Sequence, residues 1–161
     1  LLESRRRRRL SPQPLVLVVS RSARFPQSLP FFRQPLRRWL LTDIRGEGES
    51  PLPGGEGFER LLPAGDWRSV LAELGALGLE RIVLLGGARL ASSLLGEDLV
   101  NELQLTVCPR LLGGGHTWLP DDCALPVDRH WQLFEQRALG GGELLLRYCR
   151  SAYGRTELPS D

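Results

Sequence analysis

Two short stretches of this chain carry residue types suited to holding a phosphate. The first is Gly86-Gly87, which ends the apolar run Ile82 to Leu85 and opens the helical pattern Ala88 to Leu95. Without Cβ atoms the glycines let a ligand approach the backbone closely, and the N–H groups of Ala88, Arg89 and Leu90 then face it from a helix N-terminus. An anion is the natural guest there. A double glycine alone is weaker evidence than G-x-G-x-x-G, so a tight turn and phosphate or nucleotide binding both stay open at this point. The second stretch is Ser20-Arg21-Ser22, at the end of the apolar run Leu15 to Val19. Its hydroxyls and guanidinium suit a phosphate monoester, with a plain turn as the bland alternative.

Other chemistry is poorly supported. Cys108, His116, Cys123 and His130 match no compact zinc spacing, and structural cysteines are the better reading, with Cys108 ending a buried strand. There is no G-x-S-x-G, and neither histidine has a serine or carboxylate partner nearby in sequence. Glu97, Asp98 and Glu102 sit at a helix end and a strand start, where solvated or capping roles outweigh acid–base work. All 21 basic residues are arginine, and the absence of lysine excludes Schiff-base chemistry and a P-loop lysine. Methionine is also absent, and isoleucine and asparagine are scarce, a bias that GC-rich coding explains. The run Arg5 to Arg9 is therefore weak evidence for nucleic-acid binding. Without interleaved aromatics it reads as a solvated, poorly ordered arm.

Positioning these groups falls to a core that 161 residues, 42% of them hydrophobic, can build. Leu15 to Val19 and Arg38 to Thr42 read as buried strands, separated by a loop from Phe25 to Pro35 packed down by Phe31 and Phe32. Asp43 to Gly65 reads as an exposed connection. Asp66 caps an amphipathic helix carrying Trp67, Val70, Leu71, Leu74 and Leu77, closed by Gly78. The strand Ile82 to Leu85, the helix after Gly87 and the strand Leu103 to Val107 then form a parallel crossover. Arg110 to Gly115 and Asp121 to Asp128 are connections, and Trp131 to Leu139 with Glu143 to Cys149 make an antiparallel hairpin around three glycines. The expected layout is an arm at 1–12, a domain at 13–150 and a frayed tail at 151–161. Three cysteines without a CxxC pair, and no signal peptide or spanning segment, fit a cytoplasmic protein.

The stretch VLLGGARLASSLLGEDLVNELQLTVCPRLLGGG, Val83 to Gly115, resembles the C-terminal reductase domain of the bifunctional riboflavin-biosynthesis deaminase/reductase, the RibD C-terminal domain. That family has a strand ending in Glu-Gly-Gly, a short helix, Leu-Val-Asp-Glu-Leu, and a strand ending in Pro before Leu-Leu-Gly-Gly. Gln13-Pro14-Leu15 with Ser20-Arg21-Ser22 is similar to a second family segment, and Glu143 to Tyr148 is compatible with its closing strand. The resemblance implies an α/β, dihydrofolate-reductase-like fold with a mostly parallel sheet, flanking helices and a C-terminal antiparallel hairpin. It also implies NADPH-dependent reduction of the ribosyl sugar of a phosphoribosylaminopyrimidine to a ribityl chain. On this resemblance Gly86, Gly87, Ala88, Arg89 and Leu90 hold the cofactor's pyrophosphate, and Ser20, Arg21 and Ser22 lie near its adenosine phosphate.

Departures from the family pattern set the alternatives. The family's opening segments, Ala-x-Ser-x-Asp-Gly and Arg-Ala-Asp-Asn-Pro, are absent from these residues, so the chain reads as the domain without its first strands. Leu85 stands at a substrate-side position where the family has glutamate, and Asn101 where it has aspartate. The competing function is a non-catalytic remnant, or a nucleotide-binding or dimerisation module of the same fold. The expected partners are a phosphorylated aminopyrimidine and a second copy of the chain, with no specific nucleic acid and no membrane.

Overall fold

The computed structural model describes residues 2–43, 56–113, 115, 118–123, 125 and 130–150. They belong to two compact units, Leu1–Glu80 and Arg81–Asp161. In the first, α1 (Leu2–Arg7) is a short helix without buried residues in which Arg7 pairs with Glu3 at 2.7 Å, so Arg5 to Arg7 of the arginine run are helical and Arg8 and Arg9 follow its end. The strands β1 (Val16–Val19), β2 (Arg38–Thr42) and β3 (Arg60–Pro63) form a parallel sheet in the order β1-β2-β3. Val16 pairs with Arg38, and Trp39 with Arg60. The central β2 is buried at all five positions, as a strand flanked on both edges and covered on both faces must be.

Alternation along β2 gives its two faces different partners. Trp39 and Leu41 join Leu62, Val70 and Leu74 in the core, with Leu15, Leu17 and Trp67 packed around it. Val70 and Leu74 come from α3 (Trp67–Ala76), whose apolar stripe was legible in the sequence. Asp66 caps α3, accepting 2.8 Å hydrogen bonds from the Ser69 N–H and hydroxyl. Gly78, at φ +83°, closes it. The Gly78 N–H donates to Gly75 and the Leu79 N–H to Leu74, a Schellman motif. On the other face Arg38 is only 8% exposed. Its guanidinium donates to the carbonyls of Leu36 at 2.9 Å, Phe31 at 2.8 Å and Gln34, and lies over the Phe31 and Phe32 rings. The Phe25 to Pro35 segment thus packs down as its aromatics suggest, and it contains a helical turn, α2 (Pro30–Arg33).

The sequence reading missed β3, which lies inside the stretch read as an exposed connection. Only four residues long and ending in Pro63, it occupies an edge, where a proline costs no ladder bond. Residues 44–55 of that stretch lie outside the described residues.

The second unit holds α4 (Ala88–Gly96) and the antiparallel sheet β4-β6-β5, formed by β4 (Glu102–Val107), β5 (Trp131–Gly140) and β6 (Glu143–Arg150). The hairpin stands where the sequence put it. Gly141 and Gly142 make its two-residue loop with φ of +61° and +82°, as a type I′ turn demands. Arg147 bridges the three strands, donating to Glu135 at 2.6 Å and Glu102 at 2.9 Å. These bonds, Glu135 first, hold its guanidinium above its ordinary pKa.

The parallel crossover does not form. Ile82 to Leu85 pairs with no strand among the described residues, leaving Val83 78% and Leu85 92% exposed, and β4 pairs antiparallel with β6. An apolar run reports a preference for burial, but strand direction and partner are set by which edge supplies N–H and C=O groups. Here β6 supplies six residue pairs to β4.

Leu74→Ala should lower unfolding stability by about 3 kcal/mol, because Leu74 is 1% exposed, and a urea titration measures it. Asp66→Ala tests the cap through pH. The Ser69 amide and hydroxyl lower the Asp66 pKa below 3.8, so the cap stabilises the protein above that value and is lost as pH falls through the lowered one. Thermal melts should show a gap between wild type and Asp66→Ala at pH 7 that closes on acidification.

Candidate functional site

The turn before α4 is built by backbone alone. Gly87 occupies the N-cap position at φ +87°, ψ +100°, and no side chain caps the helix. Its carbonyl accepts from the Ala91 N–H at 2.9 Å, which closes the first turn. The N–H groups of Ala88, Arg89 and Leu90 then have no acceptor within the helix. The glycines differ in what requires them. At Gly87 the positive φ favours glycine, while a Cβ built there meets Leu90 Cβ at an ordinary 3.7 Å. At Gly86, as at Gly65, Gly75, Gly113 and Gly115, a Cβ meets nothing within 4 Å among the described residues, so the approach to the turn is open there. The Arg89 side chain is exposed, and Leu85 projects almost fully into solvent beside the turn.

The other end of α4 is held from the sheet. Its last turn is a Schellman motif: the Asp98 N–H donates to Leu95 and the Leu99 N–H to Leu94. Asp98 takes the left-handed position at φ +64°, which costs a non-glycine residue about 1 kcal/mol. The Arg150 guanidinium at the end of β6 donates to the Asp98 carbonyl at 2.8 Å and to its carboxylate, while the Arg150 N–H reaches the Asn101 carbonyl. This is the most buried of the ion pairs found among the described residues, with side chains 12% and 17% exposed.

In the first unit, Ser20-Arg21-Ser22 turns out of β1. Ser20 keeps the strand's pairing through its N–H to Leu41. The Ser20 hydroxyl oxygen accepts from the Ala23 N–H at 3.3 Å and that of Ser22 from the Arg24 N–H at 3.5 Å. Ala23, fully buried at φ +49°, anchors the turn. Both hydroxyl oxygens act as acceptors, and a hydroxyl that accepts can also donate. The Arg21 side chain is exposed.

The remaining candidates resolve into structure. Cys108 is exposed rather than buried, because β4 ends at Val107 on the sheet's edge; its thiol donates to Glu143 at 3.7 Å. Cys149 is buried and Cys123 half-buried. His130 is exposed, and His116 lies outside the described residues. Glu102 and Asp98 are partners of Arg147 and Arg150. Sequence reasoning missed Arg150. The available signal was the aspartate where α4 ends, a place that α3 gives to Gly78.

The RibD C-terminal domain family matches residues 2–145. A pyrimidine reductase-like protein of Corynebacterium diphtheriae superposes with a TM-score of 0.71 at 17% identity, over 92% of this chain and 65% of its own. RibD of Acinetobacter baumannii gives 0.67 at 20% identity, over 84% and 37%. A deaminase/reductase of Thermotoga maritima gives 0.63 at 17%, over 85% and 38%. The chain thus spans about a third to two thirds of the length of these structures. Comparison with curated protein sequences returns no significant match. At these identities the structures establish a shared fold, the mixed α/β architecture described above, while the family match rests on the sequence itself. This chain belongs to the RibD C-terminal domain family.

Proposed function

We propose that this protein is an NADPH-dependent reductase of the riboflavin-biosynthesis type, reducing the ribosyl sugar of a phosphorylated aminopyrimidine to a ribityl chain. The T. maritima neighbour, described as a 5-amino-6-(5-phosphoribosylamino)uracil reductase, supports that substrate class. The carrying observation is the start of α4 behind Gly86-Gly87, which no side chain caps and which the described residues leave open.

The amides of Ala88, Arg89 and Leu90, with the positive end of the helix dipole, would hold the pyrophosphate. In the first unit, Ser20, Arg21 and Ser22 are by themselves suited to a phosphate monoester such as an adenosine 2′-phosphate. NADPH when bound supplies the hydride; these residues bind and orient, and solvent supplies the proton. Leu85 and Asn101 favour a second reading, a nucleotide-binding module without turnover. A leucine at the substrate-side position offers no acceptor for a sugar hydroxyl.

NADPH should bind about tenfold or more tightly than NADH, since a phosphate gains charge-assisted hydrogen bonds at Arg21, and Arg21→Ala should erase the preference in a fluorescence titration. Equal affinities in the wild type would remove the Ser20–Ser22 turn from the site. Gly86→Val should leave the thermal midpoint unchanged and abolish NADPH binding; a variant that binds normally would clear the glycine turn of any role. NADPH oxidation dependent on 5-amino-6-(5-phosphoribosylamino)uracil is expected for the enzyme. Tight binding without oxidation would establish the second reading.

A further inference from the structure

We propose that Asp98 and Arg150 form a latch that positions the cofactor turn from the opposite end of α4, a role that rests on the reading of that turn as the NADPH pyrophosphate site. Among the described residues three helices end in a Schellman motif, α1 with Arg9 at φ +54°, α3 with Gly78 and α4 with Asp98, and the last two make the comparison. The one after α3 places Gly78 in the left-handed position at φ +83°, where glycine is free of strain. The one after α4 repeats the same pair of backbone hydrogen bonds with Asp98 at φ +64°. Glycine serves helix termination without strain, and of the two non-glycine residues in this position, Arg9 and Asp98, it is Asp98 that carries a largely buried ion pair. Its carboxylate and its carbonyl are both taken by the Arg150 guanidinium, in a pair largely removed from solvent.

The position of Arg150 gives the latch its leverage. It is the last residue of β6, the central strand of the antiparallel sheet, fixed by pairing with Trp131 and by its own N–H to Asn101. The last turn of α4 is thereby tied to the most constrained strand of the unit. Its first turn carries the amides that an anion needs aligned. A helix of nine residues is stiff, so restraint at one end limits the rocking of the other. Neither latch residue touches the turn itself; both are positioning residues.

Asp98→Gly tests this without weakening the helix end, because glycine keeps the Schellman motif and removes only the carboxylate. The probes are NADPH and, for the separate Ser20–Ser22 turn, 2′-AMP. Asp98→Gly and Arg150→Met should each raise the NADPH dissociation constant about fivefold or more, while 2′-AMP affinity stays at the wild-type value and Arg150→Lys recovers part of the loss. The Asp98→Gly thermal midpoint should not fall. Wild-type NADPH affinity in Asp98→Gly overturns the latch and leaves the cofactor reading intact. So does an equal loss of 2′-AMP binding, which marks a general structural defect. A wild-type protein that fails to bind NADPH overturns both.

Discussion

Backbone N–H groups at the start of a helix need acceptors, and at α4 neither the helix nor a side chain provides them. That constraint organises the second unit. Gly87 takes the N-cap position with a positive φ, a Cβ at Gly86 would meet nothing among the described residues, and Leu85 beside the turn is exposed. Further along, the Schellman motif, Arg150 and the β4–β6 ladder fix the helix to a sheet whose register is set by the triple-glycine hairpin. The polar residues that look catalytic in isolation, Glu102 and Asp98, are committed to arginines within this framework.

The parts of the fold legible in the sequence are those governed by local rules. Asp66 and Gly78 bracket α3 because capping acts over a few residues, and the hairpin reads clearly because a two-residue loop with positive φ calls for glycine. Arg38 to Thr42 is recognisable because its centre, Trp39 to Leu41, is a continuous apolar run, the mark of a strand buried on both faces. Pairings that depend on distant chain were not legible. β3 is short and hemmed by proline and glycine, and only its register against β2 makes it a strand. Ile82 to Leu85 has the composition of a strand, yet β4 finds its partner about forty residues later in β6.

The candidate site divides the same way. The glycine turn and the serine–arginine turn were visible because each is contiguous, and the structure adds what spacing cannot: the Ser20 and Ser22 hydroxyl oxygens accepting from Ala23 and Arg24, and the open space at Gly86 among the described residues. Arg150 was invisible because its partner lies fifty-two residues away. Leu85 and Asn101 are the positions where the sequence departs from the Glu-Gly-Gly and Val-Asp-Glu patterns that the resemblance rests on.

The central claim is that the first amides of α4 hold the cofactor's pyrophosphate, and amide chemical shifts read it residue by residue. On titrating NADPH into the labelled protein, the N–H signals of Ala88, Arg89 and Leu90 should move most among the residues of the second unit. Saturation by NADPH with those three signals unmoved would contradict the account.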